Sequence, residues 1–263
     1  MPSLSVSIPT PFSQAELDRS ALPVTTRATD YPAGSSTGDH VHALHHQLIH
    51  AVQGVMVVVA EGGQWIVPPT RGIWMPAGMI HQVRHVGEVH MRSLYVRPDA
   101  APGLATQAQV VGISPLLREL IRAAMAVAMP YVADSRDGRL MRLLLDELQA
   151  LPVLPMHLPK PADARLRRIC AHLQQNPDDT ATLQDWAERL QVNPKTLQRL
   201  FARDTGMGFG RWRQQARLLQ ALERLAQGEK VIDVALALGY DSPGAFATMF
   251  KRQFGQTPSS FFR

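Results

Sequence analysis

Eight of the ten histidines fall between His40 and His90. Imidazole is the commonest transition-metal ligand near neutral pH, so this density points to a metal or a polar ligand pocket. His40 and His42 are two residues apart, which on an extended strand puts both on one face. Gln47 follows them, and His81 comes after the turn Pro76-x-Gly78. Three readings stay open. In the first, one divalent transition metal is held by imidazoles of this cluster. In the second, a metal-free pocket for a small effector is lined by His40, His42, Gln47, Trp74, His81 and Arg92. In the third, these are ordinary structural histidines. Glutamine is a neutral, weaker ligand, whereas a catalytic iron site usually uses a carboxylate for charge and orientation. Position 47 therefore favours binding over catalysis. His45, His46, His50, His85 and His90 read as structural or solvent-facing, and Trp65 and Trp74 as core. Arg71 and Arg92 could give a pocket positive charge, although a solvated face is the plainer reading.

A second set of residues points to nucleic acid. Lys160 to Arg263 holds sixteen Lys and Arg against ten Asp and Glu, while the preceding chain holds eleven against twelve. A basic segment beside a neutral one suggests a polyanion partner for that segment alone. Within it lies a degenerate repeat. Asp185, Ala187 and Leu190 match Asp233, Ala235 and Leu238 at an offset of 48. Pro194, Leu197, Phe201 and Gly206 match Pro243, Phe246, Phe250 and Gly255 at an offset of 49. Each copy has a small alanine, an apolar residue at the turn (Val192, Tyr240), a cap (Asn193; Asp241 or Ser242) and a proline to start the next helix. Leu197 with Phe201, and Phe246 with Phe250, are i,i+4 pairs facing inward. The outward stripe of copy one offers Lys195, Thr196, Gln198, Arg199 and Arg203, headed by Asn193. Glutamine can read adenine bidentately; arginine can read guanine or hold phosphate. Copy two offers Gly244, Ala245, Ala247, Thr248 and Lys251, headed by Ser242. Those small side chains suit close groove approach and methyl contacts, so copy one should carry more of the sequence discrimination.

The elements that must position these residues are legible as changes of period. Residues 1–38, rich in Ser, Thr and Pro, read as an extended arm. From Gln47 to Val96, short apolar or alternating runs (Gln47–Val52, Val55–Ala60, Gln64–Val67, Met91–Val96) are separated by turn signals such as Gln53-Gly54, which predicts an antiparallel sandwich or barrel. Leu116, Leu120, Ala123 and Val127, then Leu140, Leu144 and Leu148, recur at helical spacing and predict two amphipathic helices. Pro152, Pro155, Pro159 and Pro161 read as a linker. Arg211 to Gln227 reads as a stiff helix able to hold two recognition helices about one DNA turn, roughly 34 Å, apart.

Two resemblances follow from these residues. Leu197 to Phe201, Asp204-Thr205-Gly206, Asp233-Val234-Ala235, Gly239 to Pro243, Phe246, Phe250, Phe254-Gly255 and Thr257-Pro258 resemble the AraC/XylS family of bacterial regulators, over roughly Arg165 to Arg263. The resemblance implies transcriptional control, with Lys195, Gln198 and Arg199 on the first base-reading helix. The second helix departs from the better-known members in its small side chains. His40-x-His42 with Gln47 and Gly54, and Pro76-x-Gly78-x-x-His81, resemble the two cupin motifs. Together with Val67 to Arg71 and Met91 to Tyr95, they look like the sensory cupin of AraC-type regulators. That resemblance implies a small barrel holding one divalent transition metal on His40, His42 and His81 with Gln47 where the family has a glutamate, or an effector in the same place.

The expected chain is α+β with two domains. It comprises an N-terminal arm (1–24), a cupin-like effector- or metal-binding barrel (25–105), amphipathic dimerisation helices (106–152), a Pro-rich linker (153–162) and a double helix-turn-helix domain (163–263). The dimer contact is expected to bury Leu116, Leu120, Leu140, Leu144 and Leu148. One cysteine, no secretory signal and no apolar run of membrane length fit a soluble cytoplasmic protein. The expected function is a sequence-specific, effector-responsive transcription regulator and not an enzyme. Its expected partners are double-stranded promoter DNA, an unidentified small effector, a second copy of the chain and, for an activator, RNA polymerase. The alternative is a metal-dependent cupin oxygenase or isomerase with an accessory helical domain. A purely architectural DNA-bending protein would need no polar-lined barrel.

Overall fold

The structure is a computed structural model and describes residues 16, 19–69, 71–154 and 156–261. The arm expected over 1–24 lies mostly outside the described residues. The chain divides into two compact units, one of residues 1–56 and 67–155, the other of Val57–Ile66 with Met156–Arg263.

The first unit is an antiparallel sheet with two helices. The strands of the chain are β1 (Val24–Tyr31), β2 (His46–Ala60), β3 (Gly63–Val67), β4 (Arg71–Met75), β5 (His81–Val96) and β6 (Gln109–Gly112); the end of β2 from Val57 and β3 up to Ile66 belong to the second unit. Two short strands follow, β7 (Val153–Leu154) in the first unit and β8 (His157–Pro159) in the second. The strand order is β1-β5-β2-β4-β6-β7, and β3 pairs with β2 and β8. Several strand assignments differ from the sequence reading. The arm expected over 1–38 contains β1. The Pro-rich linker is not free chain, because β7 pairs with β6 and β8 with β3. Gln53-Gly54 is not a turn but lies within β2. Gly54 takes φ +79, and a Cβ there would meet the Glu88 carbonyl oxygen. Only glycine lets the two long strands stay this close.

Strands β2 and β5 are buried on both faces, and alternation decides what each face touches. On one side Leu48, Trp74, Leu94 and Val96 form a core with helices α1 (Pro115–Ala124) and α2 (Arg136–Gln149). Ser114 caps α1 by accepting from the Leu117 N–H, and Ser135 caps α2 by accepting from Gly138. Leu117, Leu120, Ile121, Met141, Leu144 and Leu148 fill this core. Leu120, Leu144 and Leu148 therefore do not form the dimer contact expected of them: the sheet within the same chain buries them. Leu116 and Leu143 remain half exposed.

The C-terminal part of the second unit is helical: α3 (Ala164–Gln175), α4 (Leu183–Arg189), α5 (Pro194–Thr205), α6 (Phe209–Ala226), α7 (Val231–Ala237), α8 (Pro243–Phe254) and α9 (Pro258–Phe261). Its core holds Trp212, Phe201, Phe246 and Phe250, all fully buried. No helix among the described residues is long and apolar enough to cross a membrane.

Leu144 is wholly buried by its own chain. Leu144→Ala should cost about 2–5 kcal/mol of stability through lost burial and a residual cavity. Urea unfolding should show the same loss at low and high protein concentration, whereas a subunit contact would make it concentration-dependent.

Candidate functional site

The two repeats fold into two superimposable pieces of chemistry. In the first, α4 ends at Leu190, Gln191 takes φ 52, and the Val192 N–H donates to the Ala187 carbonyl at 3.0 Å. In the second, α7 ends at Leu238, Gly239 takes φ 72, and the Tyr240 N–H donates to Ala235 at 3.0 Å. Asn193 caps α5 by accepting from the Lys195 N–H at 2.9 Å. Of the two candidates in the second copy, Ser242 is the cap, accepting from Ala245 at 3.1 Å; Asp241 is the inserted residue. Pro194 and Pro243 start the helices, and Gly206 and Gly255 end them in the left-handed conformation.

Burial sorts the faces. Leu197, Leu200 and Phe201 on α5, and Phe246 and Phe250 on α8, point into the core. Asn193, Lys195, Gln198, Arg199 and Arg203 are exposed, and Thr196 is half-buried. Among the described residues, no side-chain hydrogen bond or ion pair engages Lys195, Gln198 or Arg199. Arg203 is held by Asp204 at 2.7 Å. On α8, Ser242, Gly244, Ala245, Thr248 and Lys251 are exposed. The Thr248 hydroxyl donates to the Gly244 carbonyl at 2.9 Å, which leaves its methyl group as the outward feature.

Helix α6 fixes the two pieces relative to each other within this unit. Phe209, Trp212, Ala216, Leu219 and Leu222 lie on its buried side. Along its flank, Arg213 donates to the Ala181 carbonyl at 2.9 Å, Arg217 to Pro177 at 2.6 Å and Asp179 at 3.2 Å, and Gln220 to Gln174 at 2.6 Å. These contacts tie α6 to the last turn of α3 and to the α3–α4 loop. Gly239 lies against the same loop: a Cβ there would come 2.9 Å from Asp178 Cα and 3.2 Å from an Arg217 guanidinium nitrogen. A side chain at 239 would push the second turn off the loop that the first copy shares.

In the first unit the structure brings four of the expected residues together. One ring nitrogen each of His40, His42 and His81 lie within 4.8 Å of one another. His40 and His81 also pair as a backbone bridge. His40 Nδ1 faces the Gly38 carbonyl at 3.0 Å and His81 Nδ1 faces Met79 O at 3.0 Å. Burial, then the neighbouring His40 and His81, lowers the His42 pKa to about 3. Burial lowers that of His81 to about 4 against the opposing pull of the Met79 carbonyl. His42 and His81 are therefore neutral at pH 7, the form in which imidazole binds a metal. With its one proton on Nδ1 towards Met79, His81 presents a lone pair at Nε2, 3.2 Å from Gln47 Oε1. The Gln47 amide nitrogen donates to Ser93 Oγ at 3.3 Å and Tyr95 Oη at 3.2 Å, which aims Oε1 at His81. In the other tautomer Nε2–H would donate to Gln47 Oε1; with the proton on Nδ1 two lone pairs face each other, an arrangement that a cation can bridge. This donor set fits a divalent transition ion.

A cavity of about 200 Å³ opens beside these groups, lined also by Arg27, Tyr31, Ile49, Val83 and Met91. Trp74 and Arg92 do not line it. Trp74 pairs with Leu48 on the helix-covered side of the sheet and donates its indole N–H to Ala105 O at 2.8 Å. Arg92 sits between Met91 and Ser93, so it points away from the cavity and pairs with Asp30 at 2.9 Å. The pocket cation is instead Arg27, whose partner in the ladder is Ser93. Its Nε is buried without a hydrogen-bond partner among the described residues. The odd-numbered run Met91, Ser93, Tyr95 on β5 and Arg27 on β1 were readable as one face by strand alternation, but only the β1–β5 register assigns that face to the histidines. Of the remaining histidines, His45, His50 and His85 are buried. His85 stacks on Tyr31 at 4.0 Å between ring centres. His46 accepts from the Ala77 N–H at 3.0 Å, and His90 pairs with Glu88 at 3.2 Å.

Residues 22–190 match the AraC-like ligand binding domain, and residues 186–263 match a helix-turn-helix domain. The chain is 35% identical over 215 residues to the HTH-type transcriptional regulator NimR of Escherichia coli, covering 82% of this chain and 78% of that protein. The chain belongs to the AraC family of transcriptional regulators. The HTH-type transcriptional regulator RipA of Corynebacterium glutamicum is 35% identical over 103 residues, 39% of this chain and 31% of that one. ToxT of Vibrio cholerae aligns in structure over 92% of this chain and 98% of its own, at 10% identity and a TM-score of 0.38, too distant to inform any residue. As an AraC-family regulator, the chain pairs a ligand-binding sheet domain with a DNA-binding helical one. The alternative of a metal-dependent cupin enzyme is overturned, because the family and these relatives are regulators.

The two depressed imidazoles carry a sign. The unfolded chain titrates its histidines near pH 6.5, while the folded chain keeps His42 and His81 neutral to about pH 3 and 4. Below about pH 6.5 the unfolded state binds protons that the folded state refuses, so stability is complete above that pH and falls as pH drops towards 4. Denaturant titrations of the chelator-treated protein between about pH 7 and 5 should show this loss, with a shallower slope in His81→Gln. A flat profile would mean that these rings titrate as free imidazoles.

Proposed function

We propose that this regulator is an effector-responsive, one-component switch. In this reading α5 and α8 enter successive major-groove segments on one side of a duplex, and the histidine cavity takes up the signal. The observation that carries the DNA half is the bare outward stripe of Lys195, Gln198 and Arg199, set by a capped helix whose other face is wholly buried. Gln198 and Arg199 suit base edges, while Lys195 suits phosphate. Asn193, Thr196 and Arg203 flank that stripe. Ser242, Gly244, Ala245, Thr248 and Lys251 form the second, smoother contact, where small side chains admit close backbone approach.

For the signal, we propose one divalent transition ion on His40, His42 and His81 with Gln47 as the fourth, neutral donor. When bound, such an ion supplies a Lewis-acidic centre that can bind an anionic or carbonyl oxygen. The protein's own part is to keep the imidazoles neutral, to aim Gln47 through Ser93 and Tyr95, and to present Arg27 beside the ion. The buried, unpaired Arg27 Nε supports a small effector with an anionic group. Trp74 and Arg92, expected as effector contacts, have no part in this reading. We further propose a cytoplasmic homodimer using Leu116 and Leu143, and contact with RNA polymerase where the output is activation.

Duplexes selected from a random pool by the full chain provide the assay. On the selected sequence Arg199→Ala should cost about 1–3 kcal/mol and relax preference at one or two positions. Equal weakening on scrambled duplex would assign Arg199 to phosphate. Failure of the chain to select any sequence would overturn the DNA reading.

Elemental analysis of the purified chain should find about one transition ion per chain, lost in the His42→Ala, His81→Ala double variant. A metal-free native protein would leave only the Arg27-lined effector pocket.

A further inference from the structure

The second unit contains a cavity that neither the DNA stripe nor the histidine pocket uses. It has a volume of about 310 Å³. Its walls come from the β2–β3 hairpin, from β8 and the residues after it, and from α3 and α6, and every lining residue belongs to the second unit. The cavity is firmly framed. The Lys160 N–H donates to the Gly62 carbonyl at 2.9 Å, and the Trp212 indole N–H donates to Pro159 O at 2.9 Å. Gly63, at the hairpin, approaches Leu158 so closely that a Cβ would meet its carbonyl oxygen.

The chemistry of the walls is one-sided. Val59, Leu158, Pro159, Pro161 and Trp212 supply apolar surface. The exposed Lys160 and Arg167, the latter also donating to the Ala162 carbonyl, supply two cations, and among the described residues no aspartate or glutamate lines the space. Apolar walls with cations at the exposed rim suit a ligand that has both an apolar body and one anionic head. A phosphate or sulfate ion would leave the apolar walls uncovered, and a neutral hydrocarbon would make no use of the two cations. We propose that this cavity is a second ligand site, separate from the histidine pocket, for a small amphipathic monoanion such as a carboxylate on an aromatic or short aliphatic body. Its head would lie at Lys160 and Arg167 and its body against Leu158 and Trp212. An occupant would clasp the β2–β3 hairpin to α3 and α6, the helix that sets the two DNA-contacting helices.

The chain's single cysteine, Cys170, lines this cavity and reports on it directly. The test uses the full chain and two probes with similar apolar bodies: the anion 1-anilinonaphthalene-8-sulfonate and the neutral N-phenyl-1-naphthylamine. The anion should bind saturably and at least tenfold more tightly than the neutral probe. It should also slow the reaction of Cys170 with a neutral thiol reagent at least fivefold. Ala171→Trp, which fills the space, should abolish both effects. The exposed Lys160→Gln, Arg167→Gln double variant should weaken the anion about tenfold and leave the neutral probe unchanged; circular dichroism checks that both variants fold. Equal affinity for the two probes would overturn the anionic ligand. Unchanged Cys170 reactivity at saturation, or wild-type binding in the double variant, would overturn the site. None of these readouts depends on the histidine cavity or on DNA, so this proposal and the preceding ones fail separately.

Discussion

The DNA-binding unit depends on one constraint: a short helix can face DNA only if something else buries its opposite side and fixes its direction. Helices of seven to twelve residues such as α4, α5, α7 and α8 are marginal in isolation. Their stability comes from burying Leu197, Phe201, Phe246 and Phe250 in the core of the unit, to which the eighteen-residue α6 contributes Trp212 and Leu222. Spacing between the two outward faces is then a property of α6 and of its polar flank. The Arg217 guanidinium, desolvated by burial and held by two loop carbonyls, is a joint that a purely apolar contact could not direct. Charge-assisted hydrogen bonds are directional, whereas apolar packing tolerates sliding.

The same logic of two faces governs the sheet. In β2 and β5, neighbouring residues serve different purposes: Gln47 and Tyr95 face the histidines, while Leu48 and Leu94 face the helices. A shift of register by one residue would exchange these sets. The pocket's polar groups can therefore be buried because the adjacent, fully apolar layer supplies the stability that burying them costs. The lowered pKa values of His42 and His81 are the electrostatic record of that arrangement. The rings stay neutral because a charged ring in this position would be desolvated beside other imidazoles.

Covalent order and spatial order part company at the hairpin. The sequence divides naturally at the proline cluster, but the compact units do not. Residues 57–66, which are the end of β2, the turn at Glu61-Gly62 and most of β3, belong with the helical unit, although β2 itself runs without interruption from His46 to Ala60. Short strands at 153–154 and 157–159 take the place of a free linker because backbone N–H and C=O groups near a sheet edge find partners there, and proline at a strand end is tolerated.

By itself, the sequence determined what is local. It determined the repeat, its caps and prolines, the inward aromatic pairs, the exposed Lys195–Gln198–Arg199 stripe and the set His40, His42, Gln47 and His81. These signals sit within a few residues of one another, where helix and strand periods fix which side chains share a face. Tertiary structure alone decided what depends on pairing across long separations. It put Arg27 rather than Arg92 in the cavity, because the β1–β5 register sets Arg27 opposite Ser93. It put Trp74 in the core because that residue pairs with Leu48, and it buried Leu120 and Leu144 within one chain. Periodicity shows that a face is apolar, but which surface covers that face is decided by how distant segments meet.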